Sequence, residues 1–197
     1  ARDITFAAAT GSSSEATSSR SSSGALGVSL GGNGLTATVS ANRSNGWSNG
    51  WGTTYYNAEV GAAGRLSLDS GRHTTLQGAK ASGQSVLARV GSAGAGNLTI
   101  SSPLDQDQYV ARESSSGFNA SVTVAGVGTY GLGIARSGLN LLAEYEAVRQ
   151  QSAINAGTGG FDIVVNGHTH LNGGAVTTEG SAGASQLITQ TLSHETL

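Results

Sequence analysis

"LSLDSGRHTTLQGA", residues 66–79, decides the reading of the fold, because it returns without a gap as "FDIVVNGHTHLNGG", residues 161–174. Leu66 aligns with Phe161, Leu68 with Ile163, His73 with His168, Thr74 with Thr169, Leu76 with Leu171 and Gly78 with Gly173. Similar shifts relate "SSSG" at Ser21 to its copy at Ser114, and "DITF" at Asp3 to "NLTI" at Asn97. The 197 residues therefore read as one segment built of two tandem units, 1–95 and 96–197. Self-similarity at a fixed spacing is the mark of stacked architectures, in which each repeat buries its apolar face against the next.

A finer period lies inside each unit. Apolar positions fall at Leu66/Leu68, Leu76, Val86/Val90 and Leu98/Ile100, separated by the glycine-bearing turns "DSGR", "QGAKASGQ" and "GSAGAGN". Short alternating strands at even spacing predict an all-β fold. Two clusters per coil give a coil of roughly 20 residues, a length typical of stacked repeats. The expected architecture is a right-handed parallel β-helix, a solenoid, with Leu66, Val86 and Ile100 stacked in successive rungs.

Antiparallel β-hairpin excursions are expected beside it. "ALGVSLGGNGLTATVSA" (25–41) sets Leu26, Val28 and Leu30 on one face, turns at Gly31 to Gly34, and returns with Leu35, Ala37 and Val39. "FNASVTVAGVGTYGLGIA" (118–135) repeats the plan with Phe118, Ala120, Val122 and Val124, then Tyr130, Leu132 and Ile134. Alternation about a glycine turn is a hairpin signal. The alternating part of each arm is shorter than the roughly 9–11 residues of a transmembrane strand. "LNLLAEYEAVRQQ" (139–151) has helical composition, with Leu142, Tyr145 and Arg149 on one helical face, yet its counterpart "NRSNGWSNGWGTTYY" (42–56) reads as a loop. Helix and strand both remain open for 139–151.

Composition narrows the function. Thirty-one glycines, one proline, no cysteine or methionine and 11% charged residues describe a surface polar through Ser, Thr and Asn, where ordinary domains carry about 25% charged residues. The net charge of −2 gives no reason to expect nucleic acid or an anionic membrane as an electrostatic partner. Without cysteine there are no disulfides and no thiolate metal sites. No run of 18 apolar residues exists to form a transmembrane helix. The chain opens on "ARDITF", with neither initiator Met nor signal peptide, and is expected to be part of a longer protein.

Three motifs invite enzymatic readings. "GVSLG" (Gly27–Gly31) and "GWSNG" (Gly46–Gly50) match the Gly-x-Ser-x-Gly nucleophile elbow, but neither sits between a buried strand and a helix. "GVGTYG" from Gly126 matches Gly-x-Gly-x-x-Gly, yet the alternating "LGIARSG" follows where a phosphate-binding helix should begin, so a hairpin is the better reading. "NGHTH" ends as binuclear metallophosphatases end. Their chemistry needs about seven ligands around two metals, and the only other histidines are His73 and His194, with no "GD" or "NHD". The repeat explains "GHTHL" as the copy of "RHTTL", although His168 and His170 on one strand face could take up Zn²⁺ or Ni²⁺ adventitiously. No catalytic residue, cofactor or dedicated metal site is expected. Trp47, Trp51, Tyr55 and Tyr56, in a Gly/Asn/Ser loop, are candidate surface-contact residues for sugars or lipid headgroups.

The strings "SSSGALGVSLGGNGLTATVSANRSNG", "LSLDSGRHTTLQGAKASGQSVLARVGSAGAGNLTISSPLDQDQY", "SSGFNASVTV" and "GGFDIVVNGHTHLNGGAV" resemble the hemagglutinin repeat region of filamentous-hemagglutinin-type exoproteins. These are exported by two-partner secretion and include contact-dependent growth inhibition toxins of Gram-negative bacteria. "GSAGAGN" is a few residues longer than the family pattern, and 139–151 is more helix-like. The resemblance implies a non-enzymatic segment of a secreted, cell-surface filament that serves as stalk or adhesive element and helps deliver a C-terminal toxin to a neighbouring cell. It implies an outer-membrane transporter as partner during export and the target-cell surface or outer membrane as partner afterwards. Insertion of the hairpins into that membrane is the alternative, and a phosphoesterase at Gly-His-Thr-His a more distant one. Open sheet edges predict capping by the excursions, or edge or end-to-end pairing with another copy.

Overall fold

The computed structural model describes residues 2–32, 34–124 and 129–196. The chain is all-β: β1 (Ile4–Ala7), β2 (Ala9–Gly31), β3 (Gly34–Tyr56), β4 (Ala58–Ser70), β5 (Thr74–Gln77), β6 (Ala79–Val90), β7 (Leu98–Ser101), β8 (Asp105–Val124), β9 (Thr129–Ala147), β10 (Ala153–Ala156), β11 (Phe161–Asn172), β12 (Ala175–Thr178) and β13 (Gln186–Glu195), with one 3₁₀ turn at Ala182–Ala184. Two compact units emerge. Unit 1 comprises Ala1–Ser12, Thr53–Gln106 and Glu146–Leu197, and unit 2 comprises Ser13–Gly52 and Asp107–Tyr145.

Unit 1 is held by three parallel ladders. In the first, Ala58–Ala62 pairs with Ala79–Gly83, which pairs with β10, which pairs with β12. The second joins Arg65–Ser70, Ser85–Val90, Phe161–Val165 and the start of β13. The third joins β1, β5, β7, Thr169–Asn172 and the end of β13. The chain passes through the three in succession before returning to the first. Parallel in-register pairing sets each inward side chain over its partner, which produces columns. Phe6, Leu76, Ile100 and Leu171 form one column, and Leu68, Ala88, Ile163 and Leu187 another. Leu76, Ile100, Ile154 and Ile163 are fully buried.

The repeat has a direct meaning in these ladders. Leu66 and Phe161 share a column with Val86 between them, and Thr74 and Thr169 share one with Leu98 between them. The expected stack of Leu66, Val86 and Ile100 is half right. Leu66 pairs with Val86, but Ile100 lies in the third ladder. Three strand segments, not two clusters, make each circuit. The missing segment is alanine-rich (Ala58, Ala62, Ala79, Ala81), so its inward face carries too little apolar bulk to register as a cluster in the sequence.

Glycine is required where the third ladder turns into the first. Gly78 and its repeat equivalent Gly173 have φ of 62° and 59°, a left-handed conformation that costs other residues about 1–2 kcal/mol. A Cβ at Gly78 would also lie 2.4 Å from the Ala8 Cβ. Gly78→Ala is therefore expected to destabilise unit 1 by more than about 1–2 kcal/mol, seen as a lower urea midpoint at unchanged slope.

Polar groups close the corners at which the chain leaves and rejoins the ladders. Ser152 is fully buried; its hydroxyl donates to the Ser101 carbonyl (2.6 Å) and accepts the Ala79 N–H (3.2 Å), and its own N–H reaches Ser102 Oγ (2.9 Å). Asp105 is nearly as buried. Its Oδ1 accepts the Tyr55 N–H at 2.7 Å, and Arg149 Nε lies 3.2 Å from Oδ2. Asn57 Nδ2 donates to the carbonyls of Gln150 (3.3 Å) and Gln151 (3.1 Å).

Strand β1 is fastened by Asp3, which accepts two hydrogen bonds from the Arg72 guanidinium and one from the His73 N–H. Arg72 first, then the His73 amide, holds its carboxyl down at about 2. A depressed carboxylate pKa contributes stability above the unfolded value of about 3.9 and loses it as pH falls through the folded one. Hydrogen-exchange protection of the β1 amides, corrected for intrinsic rates, is expected to fall between pH 4 and 2, and Asp3→Asn to remove that dependence.

Unit 2 is a single sheet in the order β2-β3-β8-β9. Cross-strand contacts fix its sense. Arg20, Ser21 and Gly27 of β2 meet Asn45, Ser44 and Thr38 of β3, so numbers rise on one strand as they fall on the other. Arg112 and Ser115 of β8 meet Asn140 and Ser137 of β9 in the same way, and Gln108 meets Glu144. The sheet is antiparallel, and β2 ends at Gly31 and β3 begins at Gly34, the two bounds expected of the first hairpin.

One choice that the sequence leaves open is decided here, and one expectation is corrected. Residues 139–147 are strand, not helix, because β8 offers a complete antiparallel partner that outweighs helical propensity. The Trp/Tyr segment is not a loop but the second half of β3. The Gly126 motif begins outside the described residues.

Candidate functional site

The four strands of the hairpin sheet run for 23, 23, 20 and 19 residues, well beyond the alternating stretches legible in the sequence. Period-two alternation in this register gives the tip two unlike faces. One carries Leu26, Val28 and Leu30 of β2, Leu35, Ala37 and Val39 of β3, Phe118, Ala120, Val122 and Val124 of β8, and Leu132 and Ile134 of β9. None of these belongs to the buried core cluster. Leu26 is 85% exposed, Leu30 82%, Ile134 74% and Leu132 73%. A contiguous apolar patch on this scale marks an interaction or membrane surface.

The opposite face is small and polar. Thr36 Oγ1 lies 2.8 Å from Thr123 Oγ1. A Cβ at Gly27 would lie 2.6 Å from Thr38 Oγ1, at Gly117 2.5 Å from Asn42 Oδ1, and at Gly131 2.6 Å from Ser121 Oγ. Apolar residues on one side, and Gly, Ser, Thr and Asn on the other, reproduce the alternation of strands with one face in lipid and one in water. Four apolar rows, two residues apart, stand about 20 Å tall at ~3.4 Å per residue, against roughly 25 Å for the apolar band of outer-membrane barrels.

The candidate surface-contact residues are spread along β3. Trp47 and Trp51 belong to unit 2, share the apolar face by alternation, and are 42% and 50% exposed. Tyr55 and Tyr56 belong to unit 1 and point to opposite faces. Sequence reasoning missed the arginines Arg20, Arg43, Arg112 and Arg136, all exposed on the apolar face of the same sheet. Knowledge of the strand register is what reveals them.

His168 and His170 do lie on one face of β11, with stacked rings 6.2 Å apart. Their nitrogens are engaged by the neighbouring strand: His168 with Thr191 Oγ1 (2.7 Å) and Ser193 Oγ (2.8 Å), and His170 Nδ1 with the same Ser193 Oγ (2.7 Å). Among the described residues no group of three or more His, Cys, Asp or Glu side chains is placed to hold a metal ion. Ser29 and Ser48 of the Gly-x-Ser-x-Gly matches lie within strands β2 and β3, not at a strand-to-helix turn. Among the described residues no helix is long and apolar enough to cross a membrane.

Parallel layers built from a repeated sequence and interrupted twice by long hairpin arms define the class, a repeat protein. Residues 1–117 match the family model of the hemagglutinin repeat, and the chain belongs to that family. It is 38% identical over 192 residues, 98% of its length, to the deoxyribonuclease CdiA of Yersinia pseudotuberculosis serotype O:3 (strain YPIII). It is 38% identical over 195 residues to the toxin CdiA of Escherichia coli, and 36% identical over 196 residues to the tRNA nuclease CdiA of Yersinia mollaretii, covering 96% of the chain each time. The chain spans 17% of the first of these relatives and 6% of the other two. It is thus a segment of the filamentous-hemagglutinin and contact-dependent growth inhibition type.

Proposed function

We propose that this chain is a non-enzymatic part of a large secreted exoprotein at the surface of a Gram-negative bacterium, where it helps deliver a C-terminal toxin into a neighbouring cell. In this reading the parallel ladders of unit 1 are layers of a right-handed β-helix that extends the stalk, repeated as tandem units 1–95 and 96–197. An outer-membrane transporter exports the protein, and the outer membrane of the target cell is met afterwards. The nuclease activities in the relatives' names belong to those proteins and call for no chemistry in this segment.

The observation that carries the reading is the exposed apolar face of the hairpin sheet, backed by a polar one. It favours contact with lipid over a purely passive stalk. In hydrocarbon every backbone group needs a partner, and among the described residues β2 and β9 each pair on one side only. Full insertion therefore requires further strands from neighbouring repeats or another copy, since the smallest membrane barrels have about eight. Flotation of the 197-residue chain with phosphatidylcholine vesicles tests the reading. Co-flotation is expected, whereas a chain that stays with the soluble fraction would reduce this segment to a stalk or adhesive spacer.

A further inference from the structure

The charges of unit 2 are sorted by face. Arg20 on β2, Arg43 on β3, Arg112 on β8 and Arg136 on β9 all share the face of Leu26, Leu35, Phe118 and Ile134, and all four are exposed. Arg43 and Arg136 occupy the row next to the apolar band, flanking Ser116; Arg20, joined to Asn45 at 3.1 Å, is one row further; Arg112, joined to Asn140 at 2.8 Å, shares the next row with Trp47. At about 7 Å per row, the basic zone begins where the apolar one ends. The acids Glu15, Asp107 and Glu113 alternate onto the opposite face. Glu144 is the one acid of unit 2 on the arginine side, two rows beyond Arg112 and bonded to Gln108.

We propose that Arg20, Arg43, Arg112 and Arg136 form a headgroup belt that binds the phosphates of an anionic lipid surface once the apolar tip has entered the hydrocarbon. Guanidinium groups pair bidentately with phosphate, keep their charge at any working pH, and bury their stems along apolar surface. An aromatic ring in the same zone is the usual companion at a membrane interface, which suits Trp47. A second copy packed on this face with its strands parallel would set arginines against arginines, a like-charge contact that disfavours self-association in that orientation. The inference rests on the lipid reading of the apolar face and adds the chemistry of the headgroup.

Vesicle partitioning at about 0.1 M salt tests both together. The chain is expected to bind vesicles of phosphatidylcholine with phosphatidylglycerol at least tenfold more tightly than phosphatidylcholine alone, with the preference shrinking as salt rises. Each single Arg→Gln change is expected to weaken anionic binding about fivefold. The quadruple Gln variant should lose the preference but keep its phosphatidylcholine binding, while the quadruple Lys variant, with equal charge, should retain most of the preference. Circular dichroism on each variant shows that the strands persist. Equal wild-type binding to the two vesicles overturns the belt and leaves lipid contact standing, and no binding to either overturns both. Displacement by 10 mM inorganic phosphate would mean a free-anion site and also overturns the belt.

Discussion

Replacing Leu26, Leu30 and Leu132 together by serine is expected to weaken binding to phosphatidylcholine vesicles by at least about a thousandfold. Fully burying one leucine contributes about 1.5–3 kcal/mol, and each 1.4 kcal/mol is a factor of ten. The three side chains are 85%, 82% and 73% exposed, so folding of unit 2 does not draw on their burial. Thermal unfolding of the variant should match that of the parent. If vesicle binding survives the triple change, the tips do not enter lipid and the apolar face serves another partner. The arginine variants separate a second contribution, because they alter the choice of lipid without altering the apolar area.

The largest effect on stability is expected in unit 1. Ile163→Ala removes a fully buried side chain from the column of Leu68, Ala88 and Leu187, at a cost of about 2–5 kcal/mol. Its neighbours are held in register by ladders on both sides, with β6 on one and β13 on the other, so they have little freedom to collapse into the cavity. Ile134→Ala provides the contrast: the same deletion at a position 74% exposed should stay within about 0.5 kcal/mol. Urea unfolding of the two variants separates a core built by stacking from a face left for a partner. Similar losses from both would mean that the hairpin face is packed in solution.

Period-two alternation, glycine turns and the return of residues 66–79 at 161–174 were enough to give an all-β chain, two hairpins and the equivalence of Gly78 with Gly173, because each is a local signal in side-chain size or glycine placement. Three things were decided only by long-range pairing. Strands β2, β3, β8 and β9 run through serine-rich and helix-like stretches because an antiparallel neighbour completes their backbone hydrogen bonds whatever their weak propensities. The alanine-rich first-ladder segments of β4 and β6 are fixed by pairing and not by apolar bulk, and Ile100 stands over Leu76 in the third ladder rather than in the column of Leu66 and Val86. The net charge of −2 averages over charges that register sorts by face. The sequence by itself determined which residues alternate and which recur; tertiary structure alone decided which alternating faces coincide, because a one-residue change of register on any strand of the hairpin sheet would turn its arginine and apolar residues to the other side of the sheet.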